Sequence, residues 1–176
     1  IGLEVHVQLL TESKIFAGDP NQFSTESNTN ISVITLAHPG TLPKLNKKVV
    51  EHAIKMGLAC GCHINRETIF ARKNYFYPDL PKGYQISQDK APICEGGEMK
   101  FTLKIKGQDD KEAVMPLTRI HLEEDAGKSS HPFGEEFSQV DYNRAGTPLI
   151  EIVTDPVVCH PDEAGSFAYG HFQEIR

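Results

Sequence analysis

The first nine residues alternate strictly between apolar and polar side chains. A period of two is the pattern of a β-strand that buries one face and leaves the other in water. The apolar face carries Ile1, Leu3, Val5, Val7 and Leu9, and the polar face carries Gly2, Glu4, His6 and Gln8. We therefore predict an opening strand over residues 1–9.

The spacing becomes helical from Lys47 to Ala59, with Asn46 suited to cap the start and Gly61 to end the helix. A second helix is predicted to begin near Pro161. It is expected to be weak, because Gly165 and Gly170 each cost about 1 kcal/mol of helix stability relative to alanine. Shorter runs predict strands over residues 32–36, 67–77, 84–87, 99–105, 113–122 and 149–153. The 99–105 and 113–122 runs form a predicted hairpin. Because strands predominate without regular helical alternation, we predict an α+β fold with a mostly antiparallel sheet.

The net charge and the cysteine content limit the kinds of binding site that the chain could carry. The formal net charge of −6 disfavours a general electrostatic grip on nucleic acid and suits a site that collects divalent cations. No apolar run approaches the roughly 18 residues of a membrane-spanning helix, so no membrane association is expected. Cys60 and Cys62 form one close pair, but no second pair follows at zinc-like spacing, so we expect reduced, structural thiols.

Glu4 and His6 are the first candidates for a metal site. They are two residues apart on one strand face, which places their Cα atoms roughly 6.5 Å apart. A carboxylate and an imidazole that converge from one sheet face can share a divalent ion. An exposed polar strand face would show the same pattern, so this segment alone leaves both interpretations open.

Three consecutive acids, Glu123, Glu124 and Asp125, end the strand predicted over residues 113–122. Such a strand end is commonly a solvated edge, yet adjacent carboxylates repel one another and a bound cation relieves that repulsion. Glu124 has the parity of Leu122, which places it on the apolar side of a regular strand. Either the strand bulges there or Glu124 is buried beside a partner.

Glu151 lies inside the apolar run 149–153. A charge in that setting is expensive to bury without a counter-charge, so the plain alternative is an edge strand whose Glu151 faces water. Three strands that each offer a carboxylate, together with one histidine, would form an oxygen-rich site. Such a site suits magnesium or manganese rather than zinc.

Basic and aromatic residues suggest where a nucleotide could bind. Residues 126–129 match only the tail of a P-loop and lack its first glycine, so phosphate contacts would come from scattered side chains. Between residues 72 and 84, cations alternate with aromatic residues, a mixture that can stack a base or ribose. The same mixture is typical of a packed strand with tyrosine hydroxyls at its rim. If the protein binds ATP, the cations that could meet its phosphates are Arg72, Lys73, Lys82, Arg119, Lys128 and Arg144. The plain alternative is that most of these side chains are only solvated at the surface.

Four segments, residues 1–9, 72–88, 119–128 and 140–153, resemble in this order the motifs of the B subunits of the glutamyl/aspartyl-tRNA amidotransferases. They cover nearly the whole chain, which makes the resemblance specific. It implies a cradle-shaped catalytic domain related in fold to glutamine synthetase. Residues 1–176 would form its N-terminal part, without the C-terminal helical and tail domains.

In that family the B subunit uses ATP and Mg²⁺ to phosphorylate the side-chain carboxylate of Glu or Asp on misacylated tRNA(Gln) or tRNA(Asn). Ammonia from the A subunit then displaces the phosphate, and a small C subunit clasps the other two. The resemblance therefore implies a ligase with the A and C subunits and misacylated tRNA as partners. It would work in the cytoplasm, or in the matrix of an organelle. The alternatives are another ATP-dependent carboxylate–amine ligase and a non-catalytic RNA-binding or scaffold role.

The resemblance also assigns a metal set. Its expected magnesium ligands are Glu4, His6, Glu124 and Glu151, with Glu123 as an alternative to Glu124. Glu124 is further expected to act in catalysis. No zinc is predicted, because residues 16–20 lack the cysteines with which some family members bind it.

Other matched positions receive roles in substrate handling. Lys73 and Lys82 match positions associated with the ammonia route and the reaction chamber, and are expected to be catalytic. Tyr75 and Tyr84 are candidates for contact with the 3′ end of the tRNA. The candidates for nucleotide binding are Arg119, Lys128 and Arg144.

Overall fold

The computed structural model describes residues 1–105 and 107–174. Within this range the chain has the predicted α+β character, with two helices and mostly antiparallel sheets. The elements are β1 (Glu4–Gln8), α1 (Lys47–Ala59), β2 (His63–Ile64), β3 (Phe70–Asn74), β4 (Tyr84–Gln88), β5 (Cys94–Glu95), β6 (Glu98–Leu103), β7 (Lys111–Glu124), β8 (Lys128–Ser130), β9 (Gln139–Asp141), β10 (Pro148–Thr154) and α2 (Pro161–Glu174).

The largest sheet has six strands in the order β1-β10-β7-β5-β2, with β6 also paired to β7. Strand β7 holds this sheet together, because its first half pairs with β6 and its second half pairs with β10. The predicted hairpin of residues 99–105 and 113–122 is confirmed by the β6–β7 pair. Strands β3 and β4 form a separate two-stranded sheet, and so do β8 and β9.

One face of the six-stranded sheet forms the core with α1. Alternate residues of β7 and β10, among them Ile120 and Ile152, are fully buried there. The predicted helix is confirmed, and Asn46 caps it by accepting a hydrogen bond from the Lys48 N–H at 2.9 Å. Helix and sheet approach closely at Gly57, where an added Cβ would lie 2.4 Å from the Cys94 sulfur.

The strand predicted over residues 32–36 is wrong. The backbone turns there instead, with the Leu36 N–H donating to the Ser32 carbonyl at 3.0 Å. Ala37 then adopts a positive φ of 55°, which ends any extended run. Alternating apolar residues in so short a segment did not distinguish a strand from consecutive turns. Neither α1 nor the described part of α2 is long and apolar enough to cross a membrane.

Candidate metal centre

The second face of the six-stranded sheet is polar, and strand register assembles its side chains. His6 on β1 is paired with Glu151 on β10, which is paired with His121 on β7. Directly paired residues of antiparallel strands project to the same face, so these three side chains form one row across the sheet. Glu123 lies two residues beyond His121 and therefore projects to the same face in the next row.

These two rows bring three potential metal ligands together. His6 Nε2 lies 3.0 Å from a Glu123 carboxylate oxygen and 3.4 Å from one of Glu151. Potential ligand atoms of His6, Glu123 and Glu151 all lie within 4.8 Å of one another. Within residues 1–105 and 107–170 this is the only group of three or more histidine, cysteine or acidic side chains so arranged.

The two carboxylates of the cluster have different electrostatic surroundings. Burial raises the pKa of Glu123 above its ordinary value, and the nearby charge of Glu151 raises it further. The pKa of Glu151 is lowered to about 2, chiefly by the hydrogen bond with His121, whose Nε2 lies 3.1 Å away. Glu151 thus ionises more readily than Glu123, as expected when two close carboxylates share a buried site.

These residues fit a divalent cation. The Glu123 Oε1 atom is buried and has no hydrogen-bond partner, and the nearest cation, the Lys73 ammonium, lies 3.7 Å away. A buried, unsatisfied carboxylate oxygen is costly, and a metal ion would remove both that penalty and the repulsion from Glu151. The half-exposed His6 borders a cavity of about 450 Å³, which leaves room for the water ligands that magnesium retains.

Glu124 faces the opposite side of the sheet. The Lys82 ammonium lies 2.5 Å from both of its carboxylate oxygens, and the Ile86 N–H donates to it at 2.8 Å. Of the two alternatives for this residue, burial beside a partner is therefore the correct one. Because adjacent strand residues point to opposite faces, Glu124, which was expected among the metal ligands, lies outside the cluster that contains His6. Glu123 occupies the position beside His6 instead.

Glu4 also lies outside the three-residue cluster. It shares the polar face with His6 but is paired with Val153, one row further along the sheet. The edge-strand alternative for Glu151 does not hold, because β10 lies between β1 and β7. Glu151 is instead a buried charge compensated by His121 and His6.

The basic candidates for nucleotide binding differ in their freedom to bind. Arg144 donates to the carbonyls of Ala126 and Gly127 at 3.0 and 2.7 Å, so its guanidinium holds the segment after β7. Arg119 projects to the polar face and lies 3.9 Å from the Asp89 carboxylate, and its Nε is buried without a hydrogen-bond partner. Lys128 is exposed on β8, in a separate sheet.

The substrate candidates lie on the β3–β4 hairpin and the turn that joins its strands. Tyr75 borders the same cavity as His6, and its hydroxyl lies 3.4 Å from the Asp79 carboxylate. The Tyr84 ring is covered by the Arg72 guanidinium at 4.5 Å from its centroid. The structure therefore brings Tyr75 and Lys73 to the cluster, and places Tyr84 beside Lys82, which lies 5.9 Å from its ring centroid.

His121 is the site residue that the sequence interpretation missed. It is buried and makes the hydrogen bond that keeps Glu151 ionised. The sequence does contain a signal for His121. It lies two residues before Glu123, so both side chains point to the same face of the strand. Strand parity also separates Glu123 from Glu124, and strict alternation would have selected Glu123.

The chain is an antiparallel α+β domain with a candidate site for a divalent metal. Two carboxylates and one imidazole on the polar face of its sheet form this site, which belongs to the oxygen-rich class. The chain belongs to the GatB/GatE catalytic domain family, whose model matches residues 1–175.

Three relatives, all B subunits of aspartyl/glutamyl-tRNA(Asn/Gln) amidotransferases, show how far the similarity extends. The chain is 52% identical over 176 residues to the protein of Bdellovibrio bacteriovorus, covering 100% of this chain and 35% of that protein. It is 54% identical over 168 residues to the protein of Janthinobacterium sp. (strain Marseille), covering 96% and 34%. It is 55% identical over 170 residues to that of Dechloromonas aromatica, covering 96% and 34%. The chain thus spans about a third of the length of these relatives.

Proposed function

We propose that this chain supplies the metal-dependent activation site of a tRNA-dependent amidotransferase. The substrate would be the side-chain carboxylate of Glu or Asp on misacylated tRNA(Gln) or tRNA(Asn). Family membership supports the reaction class, and the names of the relatives support the substrate class. The structural observation that carries the proposal is the buried, unpartnered Glu123 oxygen beside His6 and Glu151.

The reaction needs an activated carboxylate. A carboxylate oxygen is a poor leaving group, so ammonia does not displace it directly. Transfer of the terminal phosphoryl group of ATP forms an oxygen–phosphorus bond on the side chain and releases ADP. Ammonia then attacks the carbonyl carbon, and phosphate leaves with the electron pair of the broken carbon–oxygen bond. Phosphoryl transfer depends mainly on positioning and charge neutralisation.

His6, Glu123 and Glu151 would hold Mg²⁺. When bound, the ion would neutralise phosphate charge and orient the phosphate oxygens. The protein's own part is to fix the ligands, and His121 does so by its hydrogen bond to Glu151. Lys73 supports phosphate binding at the same place, because its exposed ammonium already lies 3.7 Å from Glu123. Arg119 offers a second positive charge on the same face of the sheet.

Ammonia should reach the activated carboxylate by a route sheltered from water, which would otherwise hydrolyse the acyl phosphate. A cavity of about 200 Å³ on the opposite side of the sheet is lined by Lys14, Lys82 and Glu124 among others. We place the ammonia route from an A subunit on this side, with Lys82 and Glu124 bordering it, and expect a C subunit to complete the complex. The bacterial origin of the relatives favours a cytoplasmic setting.

The test uses the full-length protein assembled with its A and C subunits. Glu-tRNA(Gln), ATP and Mg²⁺ are supplied with glutamine, and ADP and Gln-tRNA are quantified. Glu123→Gln should reduce amidation by more than the roughly 10–100-fold loss typical for outer-shell partners of a metal. Glu95→Gln is the matched control, because Glu95 is exposed on β5 of the same sheet.

Two results would contradict the proposal. ATP consumption with free glutamate as readily as with Glu-tRNA would indicate a ligase for small acids. Normal amidation by Glu123→Gln would remove the cluster from the reaction. Glutaminase activity of the A subunit, measured alongside, should be the same for both variants.

A further inference from the structure

Three consecutive aromatic residues, Tyr75, Phe76 and Tyr77, follow β3 in the turn towards β4. Phe76 is 82% exposed and Tyr77 is 66% exposed. The sequence left open whether this segment packs inward or exposes its rings. These values show that Phe76 and Tyr77 expose their rings to solvent. Large apolar rings in water add little to folding stability, and when they cluster they mark a binding surface.

The turn that carries the rings is held in place by the rest of the domain. The Tyr75 N–H donates to the Gly83 carbonyl at 3.0 Å, which closes the turn. The Tyr142 hydroxyl donates to the Pro78 carbonyl at 2.7 Å, and Leu80 is buried beneath the turn. A preorganised surface loses little conformational entropy when a ligand binds.

The rings begin at the edge of the candidate reaction site. Tyr75 borders the cavity beside His6, and the rings of Tyr75 and Tyr77 lie 5.0 Å apart at an angle of 35°. Lys73, at the other end of the same segment, reaches the Glu123 carboxylate. Tyr77 therefore continues the aromatic surface from the rim of the cavity, and Phe76 lies between the two tyrosines in the chain.

The net charge of the chain bears on how a nucleic acid could bind to this surface. The chain carries a net charge of −6, which disfavours a broad electrostatic grip on a phosphate backbone. Flat aromatic faces instead bind unpaired nucleobases by stacking, whatever the base. We propose that Phe76 and Tyr77 form a stacking platform for the unpaired nucleotides at the 3′ end of the tRNA. The proposal rests on the proposed function, in which the amino acid to be activated is attached to that end.

Stacking and phosphate contacts differ in their response to salt. Loss of a stacking ring releases no counterions, so Phe76→Ala should weaken binding equally at every salt concentration. Lys73→Ala should instead lower the slope of log affinity against log salt by about one. The two variants therefore separate the platform from its charged neighbour.

The experiment measures binding of tRNA(Gln) to the full-length protein in complex with its partner subunits. One probe is the intact tRNA, and the second is the same tRNA trimmed of its unpaired 3′ nucleotides. Phe76→Ala and Tyr77→Ala should each weaken binding of the intact tRNA about tenfold and leave binding of the trimmed tRNA unchanged. Phe133→Ala is the matched control, because Phe133 is fully exposed on the turn between β8 and β9.

Conservative variants show whether stacking is the cause. Phe76→Trp should keep full affinity, whereas Phe76→Leu, which is apolar without a flat face, should behave like Phe76→Ala. The proposal is overturned if the alanine variants bind intact tRNA normally or weaken both probes equally. It is also overturned if they impair subunit assembly instead, which would make the rings a protein-docking surface. Amidation by the unaltered enzyme tests the proposed function separately.

Discussion

Glu123 and Glu124 are neighbours of the same residue type, and the sheet gives them opposite environments. Glu124 is fully compensated by the Lys82 ammonium and the Ile86 N–H. Glu123 is equally buried, yet one of its oxygens has no hydrogen-bond partner, and its neighbours include a second carboxylate. A satisfied buried charge indicates a structural connection, whereas an unsatisfied one beside other ligands indicates a place for something to bind.

Removal of the Glu124 charge should produce the largest effect. Glu124→Gln leaves the Lys82 ammonium mostly buried without its counter-charge, which should lower the free energy of unfolding by about 3–5 kcal/mol. The measurement is hydrogen exchange of β4 and β7 amides in the full-length protein. Adding Lys82→Met should restore much of the loss. A loss below about 1 kcal/mol would show that this pair does not connect the β3–β4 hairpin to the sheet.

Lys14 lies on the same side of the sheet as Glu124, where both residues line one cavity. Burial lowers the pKa of Lys14 to about 8 from 10.5, despite the nearby charges of Asp19 and Asp141. Between those pH values the unfolded chain binds a proton that the folded chain does not, so stability should rise with pH. The shift corresponds to a rise of about 3 kcal/mol between pH 8 and 10.5.

The control for this prediction is Lys14→Met. Subtracting its unfolding free energy from that of the unaltered protein at each pH isolates the contribution of Lys14. A difference that stays constant from pH 8 to 10.5 would show that the ammonium is not destabilised by its surroundings.

Glu123→Gln should have the smallest effect on stability and the clearest effect on metal. Its raised pKa means that ionisation of Glu123 destabilises the fold, so the contribution of Glu123 to stability decreases as pH rises above 4.5. Without metal the variant should therefore match or exceed it near neutral pH, by up to about 1 kcal/mol. Excess Mg²⁺ should stabilise the unaltered protein and not the variant. Equal stabilisation of both by Mg²⁺ would place the ion elsewhere.

The elements that the sequence predicted well are those with local signals. Helix α1 has its cap at Asn46 and a helical apolar spacing, and β10 is a short apolar run after a turn. Strands β2 and β5 have two residues each, and such strands exist only because a neighbouring strand pairs with them. Pairing between distant segments leaves no local trace in a single sequence, so these strands escaped prediction.

The same distinction applies to the site. His6 and Glu151 could be proposed because a charge in an alternating or apolar strand is conspicuous. Their contact depends on the β1–β10 register, which pairs residues far apart in the chain. The choice between Glu123 and Glu124 depended on strand parity, which a bulge would have reversed. The register of β7 with β10 is regular through these residues, so Glu123 faces the cluster.

The most direct test of the metal assignment is the position of a bound ion. Crystals of the full-length protein soaked in Mn²⁺ should show an anomalous peak within about 2.5 Å of ligand atoms of His6, Glu123 and Glu151. The peak should be absent in Glu123→Gln and present in Glu95→Gln. A peak at Glu124 or Glu4, or no peak on the polar face of the sheet, would contradict the assignment of this cluster as the metal centre.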